Sequence, residues 1–107
     1  MVEFQFFKDC PNSQKTLENL MHLVHERALK KSEVKITEIV RPEEAELRNF
    51  QGSPTILVNG IDIYTGVVPT SSRFSCRTYV IDGKRTGTLG SDFIKERLAE
   101  FHSGHGE

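Results

Sequence analysis

Val2-Glu3-Phe4-Gln5-Phe6-Phe7-Lys8-Asp9-Cys10-Pro11-Asn12-Ser13 is the stretch that decides the fold. Val2, Phe4 and Phe6 alternate with Glu3 and Gln5, which predicts a strand with one apolar face, and Phe7 extends the apolar end. Asp9 to Ser13 is a turn-rich cluster. Beyond it Leu17, Leu20, Met21, Val24 and Ala28 recur at helical spacing and define one apolar stripe. Pro11 suits the first helical position, where its missing N–H is no loss. The helix is therefore predicted to start at or next to Cys10 and to run to about Lys30. A thiol sits where the first strand turns into the first helix.

Reading outward, Val34 to Val40 is rich in β-branched residues and predicts a second strand, broken by Arg41-Pro42. Pro42 to Phe50 carries Glu43, Glu44 and Glu46 early and Arg48 late, which matches the dipole of a short helix. Gly52-Ser53-Pro54 is expected to end it. Thr55-Ile56-Leu57-Val58 is an apolar run of the kind that fills a central strand covered on both faces. Asn59-Gly60 signals a hairpin turn into Ile61-Asp62-Ile63-Tyr64 or into a later strand. Residues 65 to 73 read as a loop leading to Cys76. Arg77 to Ile81 reads as a further strand, turned by Asp82-Gly83. Ile94, Leu98 and Phe101 mark a last helix with Ser91 as candidate N-cap, and the tail from Ser103 to Glu107 is expected to fray. A long helix between the first two strands makes them parallel with a right-handed crossover, while the Asn-Gly turn makes the later pairing antiparallel. The result is an α/β fold in one domain, residues 1–102, with a mixed central sheet and flanking helices.

The chain has 107 residues, with 14 Lys and Arg against 15 Asp and Glu, for a formal net charge of −1. That balance gives no electrostatic footprint for nucleic acid. The N-terminus is too short and too polar for a signal peptide, and no apolar run approaches the ~20 residues of a membrane span. The expected location is the cytoplasm, where thiols stay reduced and a transient disulfide is more at home than a lasting one. Two cysteines, Cys10 and Cys76, exclude a disulfide scaffold and a four-cysteine zinc site from one chain. They leave room for one disulfide, a redox pair or half of a metal site.

The start of a helix presents unpaired N–H groups and the positive end of its dipole, and both stabilise a thiolate. Cys10 is in that place, with Lys8 adding positive charge and Asp9 opposing it. The bland alternative is a small buried hydrophobe. His22 and His25 point away from the apolar stripe or lie on its flank and read as a solvated face. His102 and His105 fall in the tail. The glutamates at 43, 44 and 46 read as a solvated helix start, and Gly87-Thr88-Leu89-Gly90 is too short for a phosphate loop.

Phe6-Phe7-x-x-Cys10-Pro11-Asn12-Ser13 after a first strand, with Gly52-Ser53-Pro54-Thr55 before the third, resembles the thioredoxin-like family. More narrowly, Cys-Pro-Asn-Ser, Gly-Ser-Pro-Thr-Ile-x-Val-Asn-Gly and Ser-Cys-Arg-x-Tyr resemble small prokaryotic thioredoxin-like proteins with a CxxS motif, some of them loosely labelled alkylmercury lyases. The resemblance implies that Cys10 is a nucleophile, that Ser13 holds the position of a resolving cysteine, and that Pro54 is a cis-proline facing Cys10. It implies that Ser53 offers its backbone N–H and C=O to an extended substrate, in a groove shaped by Pro11, Asn12, Pro54 and Thr55.

The chain departs from thioredoxin in three respects: Ser13 replaces the second cysteine, no tryptophan precedes Cys10, and the stretch from Gly60 to Thr78 is longer and carries Cys76. Ser13 either donates a hydrogen bond to the thiolate or helps cap the helix. Cys76 either resolves a Cys10 mixed disulfide or sulfenic acid, or clamps a soft metal such as mercury or copper with Cys10, or is a structural thiol far away. Arg77 beside it either lowers its pKa or is an ordinary surface arginine. The implied function is a thiol-dependent redox protein acting on disulfides or peroxides, with a protein or small-molecule thiol or disulfide as partner and no cofactor. The alternatives are a soft-metal thiolate protein and a thioredoxin-fold binding module without chemistry.

Overall fold

The computed structural model describes residues 1–102; the tail expected to fray, with His105, lies outside them. The elements are β1 (Val2–Phe6), α1 (Asn12–His25), β2 (Val34–Glu38), α2 (Pro42–Arg48), β3 (Gln51–Ser53), β4 (Thr55–Val58), β5 (Ile61–Asp62), β6 (Arg73–Cys76), β7 (Tyr79–Ile81), β8 (Lys84–Thr86) and α3 (Ser91–His102). A main sheet runs in the order β2-β1-β4-β5. β1 pairs with β2 in parallel, Phe4 opposite Ile36, and with β4 antiparallel, Phe4 opposite Ile56. The expected mixed α/β architecture, with a mixed sheet and three helices, is present.

Alternation along β1 and β4 sends Val2, Phe4, Ile56 and Val58 into one core, which Leu20 and Leu23 of α1 and Ile94 and Leu98 of α3 close. On the other face Arg48 of α2 lies 3.9 Å from Glu3. A smaller cluster of Ile39, Ala45 and Phe50, with Phe7 packed against it, seals that end. All four residues of β4 are buried, as its unbroken apolar run requires.

α1 stops five residues short of Lys30. Arg27 takes a left-handed φ of 64°, and the chain closes as a Schellman motif, with Ala28 N–H donating to Leu23 O and Arg27 N–H to Val24 O. The buried face is Ser13, Thr16, Leu20 and Leu23, rotated from the predicted stripe. The rotation follows from polar tethers: Thr16 Oγ1 accepts from Leu89 N–H and Asn19 Nδ2 donates to Leu89 O. Asn49, at φ 52°, ends α2 before the Gly-Ser-Pro segment expected to do so. The second strand ends at Glu38, the hairpin strand after Asn59-Gly60 spans only Ile61–Asp62, and the strand expected from Arg77 starts at Tyr79. Ser91 is already helical, and Ile94 N–H donates to Gly90 O.

The main departure is a second small sheet. Gln51-Gly52-Ser53, overlapping the segment expected only to end the helix, is β3, and Arg73–Cys76, where the expected loop leads to Cys76, is β6, paired to it in parallel. Every residue of β6 is exposed, so it carries no apolar alternation to betray it.

Leu23, 1 % exposed, and Ala28, exposed beyond the helix end, separate the two helical faces. Leu23→Ala is expected to lower unfolding stability by about 2–5 kcal/mol in a urea titration. Ala28→Ser is expected to stay within about 0.5 kcal/mol of the parent. Comparable losses at both positions would restore the predicted stripe.

Candidate thiol site

Cys10 lies at the β1–α1 junction, 2 % exposed. Its N–H donates to Phe7 O, and its thiol donates to Ser53 O at 3.4 Å. α1 has neither a side-chain cap nor an acidic residue in its first turn, so no counter-charge there offsets the positive end of its dipole. Ser13 does not reach the thiol. Its hydroxyl donates to the Cys10 carbonyl at 2.8 Å, and its own N–H donates to the same oxygen, which makes Ser13 a fastener of the helix start.

Ser53 and Pro54 join through a cis peptide bond. Phe7 N–H donates to Ser53 Oγ at 3.1 Å, which ties the end of β1 to this loop. The Ser53 carbonyl, expected to be open to an extended substrate, is in use. Besides the Cys10 thiol it accepts Arg77 N–H at 2.8 Å, and Cys76 lies opposite Ser53 in the β3–β6 register. Gly52 makes this approach possible: its φ of +104° favours glycine, and a Cβ there would stand 3.0 Å from Ser75 O and 3.1 Å from Arg77 Cβ. Pro54 and Thr55 are buried beneath. Thr55 Oγ1 donates to Gly52 O, and the Tyr79 hydroxyl donates to Pro54 O. Asn12 fills the space over Gly87, where no side chain fits, and Pro11 is exposed. Of the five residues placed in a substrate groove, Ser53, Pro54 and Thr55 are buried.

β6 brings Cys76 to Cys10. Both thiols are free; Cys10 is buried and Cys76 exposed. The Cys76 thiol is pushed up to about 11, first by hydrogen bonding to Cys10, then by loss of solvent, then by the Cys10 charge. The sign of the linkage follows. Folding favours the protonated Cys76, so this contribution to stability is fully present below the unfolded value of 9.0 and is lost as pH rises towards 11. Phe74 of β6 packs its ring, tilted, against Phe7 with centres 5.2 Å apart.

Arg77 is not a surface arginine. Its side chain, 10 % exposed, reaches Asp62, 1 % exposed, with Nη1 2.7 Å from Oδ2. The alignment makes this an ion pair without a hydrogen bond to Oδ2. Nη1 also donates to Thr55 Oγ1 at 3.1 Å. The guanidinium lies 4.7 Å from the centre of the Tyr79 ring and 5.4 Å from that of Tyr64. Burial drives the Tyr79 phenol upward in pKa and keeps it a donor to Pro54. Asp62 and Tyr64 were not predicted as part of the site, Arg77 was weighed only as a charge beside Cys76, and Tyr79 entered only through the Ser-Cys-Arg-x-Tyr resemblance. The signal present in the sequence is Asp62 itself, a charge between Ile61 and Ile63.

Among the described residues, no group of three or more His, Cys, Asp and Glu converges as a metal site. His22 is exposed and lies 3.3 Å from Glu26, and His25 is exposed. No described helix is long and apolar enough to cross a membrane. No family model, curated protein or solved structure matches the chain.

Cys10→Ala removes two of the three causes acting on Cys76, so its titration midpoint is expected to fall from about 11 towards 9.0. The thiolate fraction at pH 8 then rises about a hundredfold, and weaker intrinsic nucleophilicity trims the gain in alkylation rate to about tenfold. Mass spectrometry of the Cys76 peptide after timed iodoacetamide treatment reads it. An unchanged rate would mean that the thiols do not interact.

Proposed function

We propose that the chain is a thiol-dependent redox protein of thioredoxin-like fold whose working dithiol is Cys10 and Cys76. The observation that carries this reading is the β3–β6 pairing, which sets Cys76 opposite Ser53, the residue whose carbonyl takes the Cys10 thiol. The fold reading is supported by parallel β1 and β2 bridged by α1, by the antiparallel β4–β5 hairpin, and by a thiol at the start of α1 near Pro54 at the start of β4.

Accessibility divides the labour differently from the implied roles. Cys76 is the exposed thiol and meets the partner; Cys10 is the buried one and resolves. The Cys76 thiolate attacks a partner disulfide, forming a mixed disulfide and releasing one partner thiolate. The Cys10 thiolate then attacks the Cys76 sulfur and expels the second. The chain loses two electrons and two protons, and the partner disulfide becomes two thiols. The raised pKa of Cys76 makes the first attack slow at neutral pH. The reverse exchange does not share that limit: a partner thiolate attacks the exposed Cys76 sulfur of the internal disulfide and Cys10 leaves. The site therefore suits the delivery of a disulfide to a thiol partner.

The same adjacency also favours a second reading, a two-coordinate thiolate site for a soft ion such as Cu(I) or Hg(II).

Incubation of the reduced protein with oxidised glutathione, acid quench and intact mass analysis tests the redox reading. The expected product has lost two hydrogens and yields a tryptic cross-link between the Cys10 and Cys76 peptides. Cys10→Ser is expected to stop at a glutathione adduct on Cys76. An adduct on wild-type Cys76 that never advances to the internal disulfide would sink the proposal. Tight retention of Cu(I) by a pair that resists oxidation would favour the second reading.

A further inference from the structure

We propose that Arg77 is a positioning residue, whose buried anchorage to Asp62, Thr55 and the Tyr64 and Tyr79 rings holds Cys76 against Cys10. The inference rests on the reading of these two cysteines as a working pair.

β6 needs such an anchor. It pairs on one edge only, all four of its residues are exposed, and its register with β3 shifts between Gln51 and Ser53. A strand with so little buried surface is among the first parts of a fold to open. Its beginning is tied by Arg73 N–H to Phe50 O, and Gln51 Nε2 ties the preceding segment through Ser71 O. At the Cys76 end the ties belong to the next residue. Arg77 N–H binds the carbonyl that also takes the Cys10 thiol, and its side chain turns inward to a carboxylate on β5, a hydroxyl on β4 and two aromatic rings. Asp62 is fixed in turn, because its Oδ1 accepts Tyr64 N–H at 2.8 Å. One residue thus links the main sheet to the Cys76 end of the small one.

A guanidinium suits this position better than an ammonium. Its planar fork meets a carboxylate and a hydroxyl together while its face lies on a ring. A lysine keeps the charge but not both contacts.

The charges near Cys76 make the test decisive in sign. Cys10 faces it from the β1–α1 junction, Arg73 and Arg77 line the same depression of about 290 Å3, and Arg77 is its immediate neighbour. As a mere nearby cation, Arg77 would lower the Cys76 pKa, so its removal would raise the midpoint. As an anchor, its removal lets Cys76 leave Cys10, and the midpoint falls.

The experiment uses Asp62→Asn/Arg77→Met, which leaves no buried charge unpaired and keeps an acceptor for Tyr64 N–H. In the reduced, folded variant the Cys76 midpoint is expected to fall from about 11 towards 9.0. The equilibrium constant for internal disulfide formation with glutathione is expected to drop about tenfold or more, since small misplacements erode effective concentration. Arg77→Lys should shift both in the same direction by less, and it carries the test if the double variant does not fold. A Cys76 midpoint at or above that of the wild type overturns the proposal. Failure of the redox reading looks different: wild-type protein forms no internal disulfide, while the midpoint in reduced protein still reports on Arg77.

Discussion

The carbonyl oxygen of Ser53 takes two donors, the thiol of Cys10 and the backbone N–H of Arg77. This shared acceptor joins the main sheet, the first helix and the small β3–β6 sheet at one atom. A carbonyl has two lone pairs, and both find partners here. With the Ser53 carbonyl so engaged, Pro54 and Thr55 lie beneath, the chain after Cys76 is held on the same side as the start of α1, and Gly52 must lack a side chain. The site is thus made by a strand pairing rather than by a contiguous motif.

The Arg77–Asp62 pair belongs to the same constraint. A buried ion pair is a weak source of stability, because the cost of removing both charges from water offsets much of their attraction. Its value here is directional. Asp62 sits on the short β5 strand of the main sheet and Arg77 just beyond β6, so the pair fixes where the small β3–β6 sheet stands against the main one. The two tyrosine rings around the guanidinium narrow that choice further, and the Tyr79 hydroxyl carries the constraint to Pro54.

The parts of the fold that follow periodicity were legible in the sequence. Alternation along Val2 to Phe6, the unbroken apolar run from Thr55 to Val58 and the two left-handed turns at Asn59-Gly60 and Asp82-Gly83 are local signals, and each element lies where they point. The position of Cys10 between strand and helix was equally plain. What escaped is non-local. α1 turns its Ser13 and Thr16 inward because the loop around Leu89 supplies backbone partners seventy residues along the chain, and helical spacing of apolar residues cannot register a polar tether. β6 escaped because an exposed strand on a one-sided pair has no reason to alternate. Arg77 escaped because a cation beside a loop reads as solvated until its carboxylate is seen. Cys76 shares no contiguous motif with Cys10, and the β3–β6 pairing is what sets it opposite Ser53.

The order in which the chain is made bears on Cys10. β1 finds its β4 partner only when residues 55 to 58 exist, and Met1 itself is tied to Asn59 through its amine and its carbonyl oxygen. The atoms that meet the Cys10 thiol also come late, from Ser53 and, last, from Cys76. During synthesis the first thiol therefore leaves the ribosome well ahead of everything that shelters it. A nascent chain cut short before Cys76 would present Cys10 as a lone thiol, and an oxidant reaching it at that stage would meet it without the cysteine that the finished fold sets beside it.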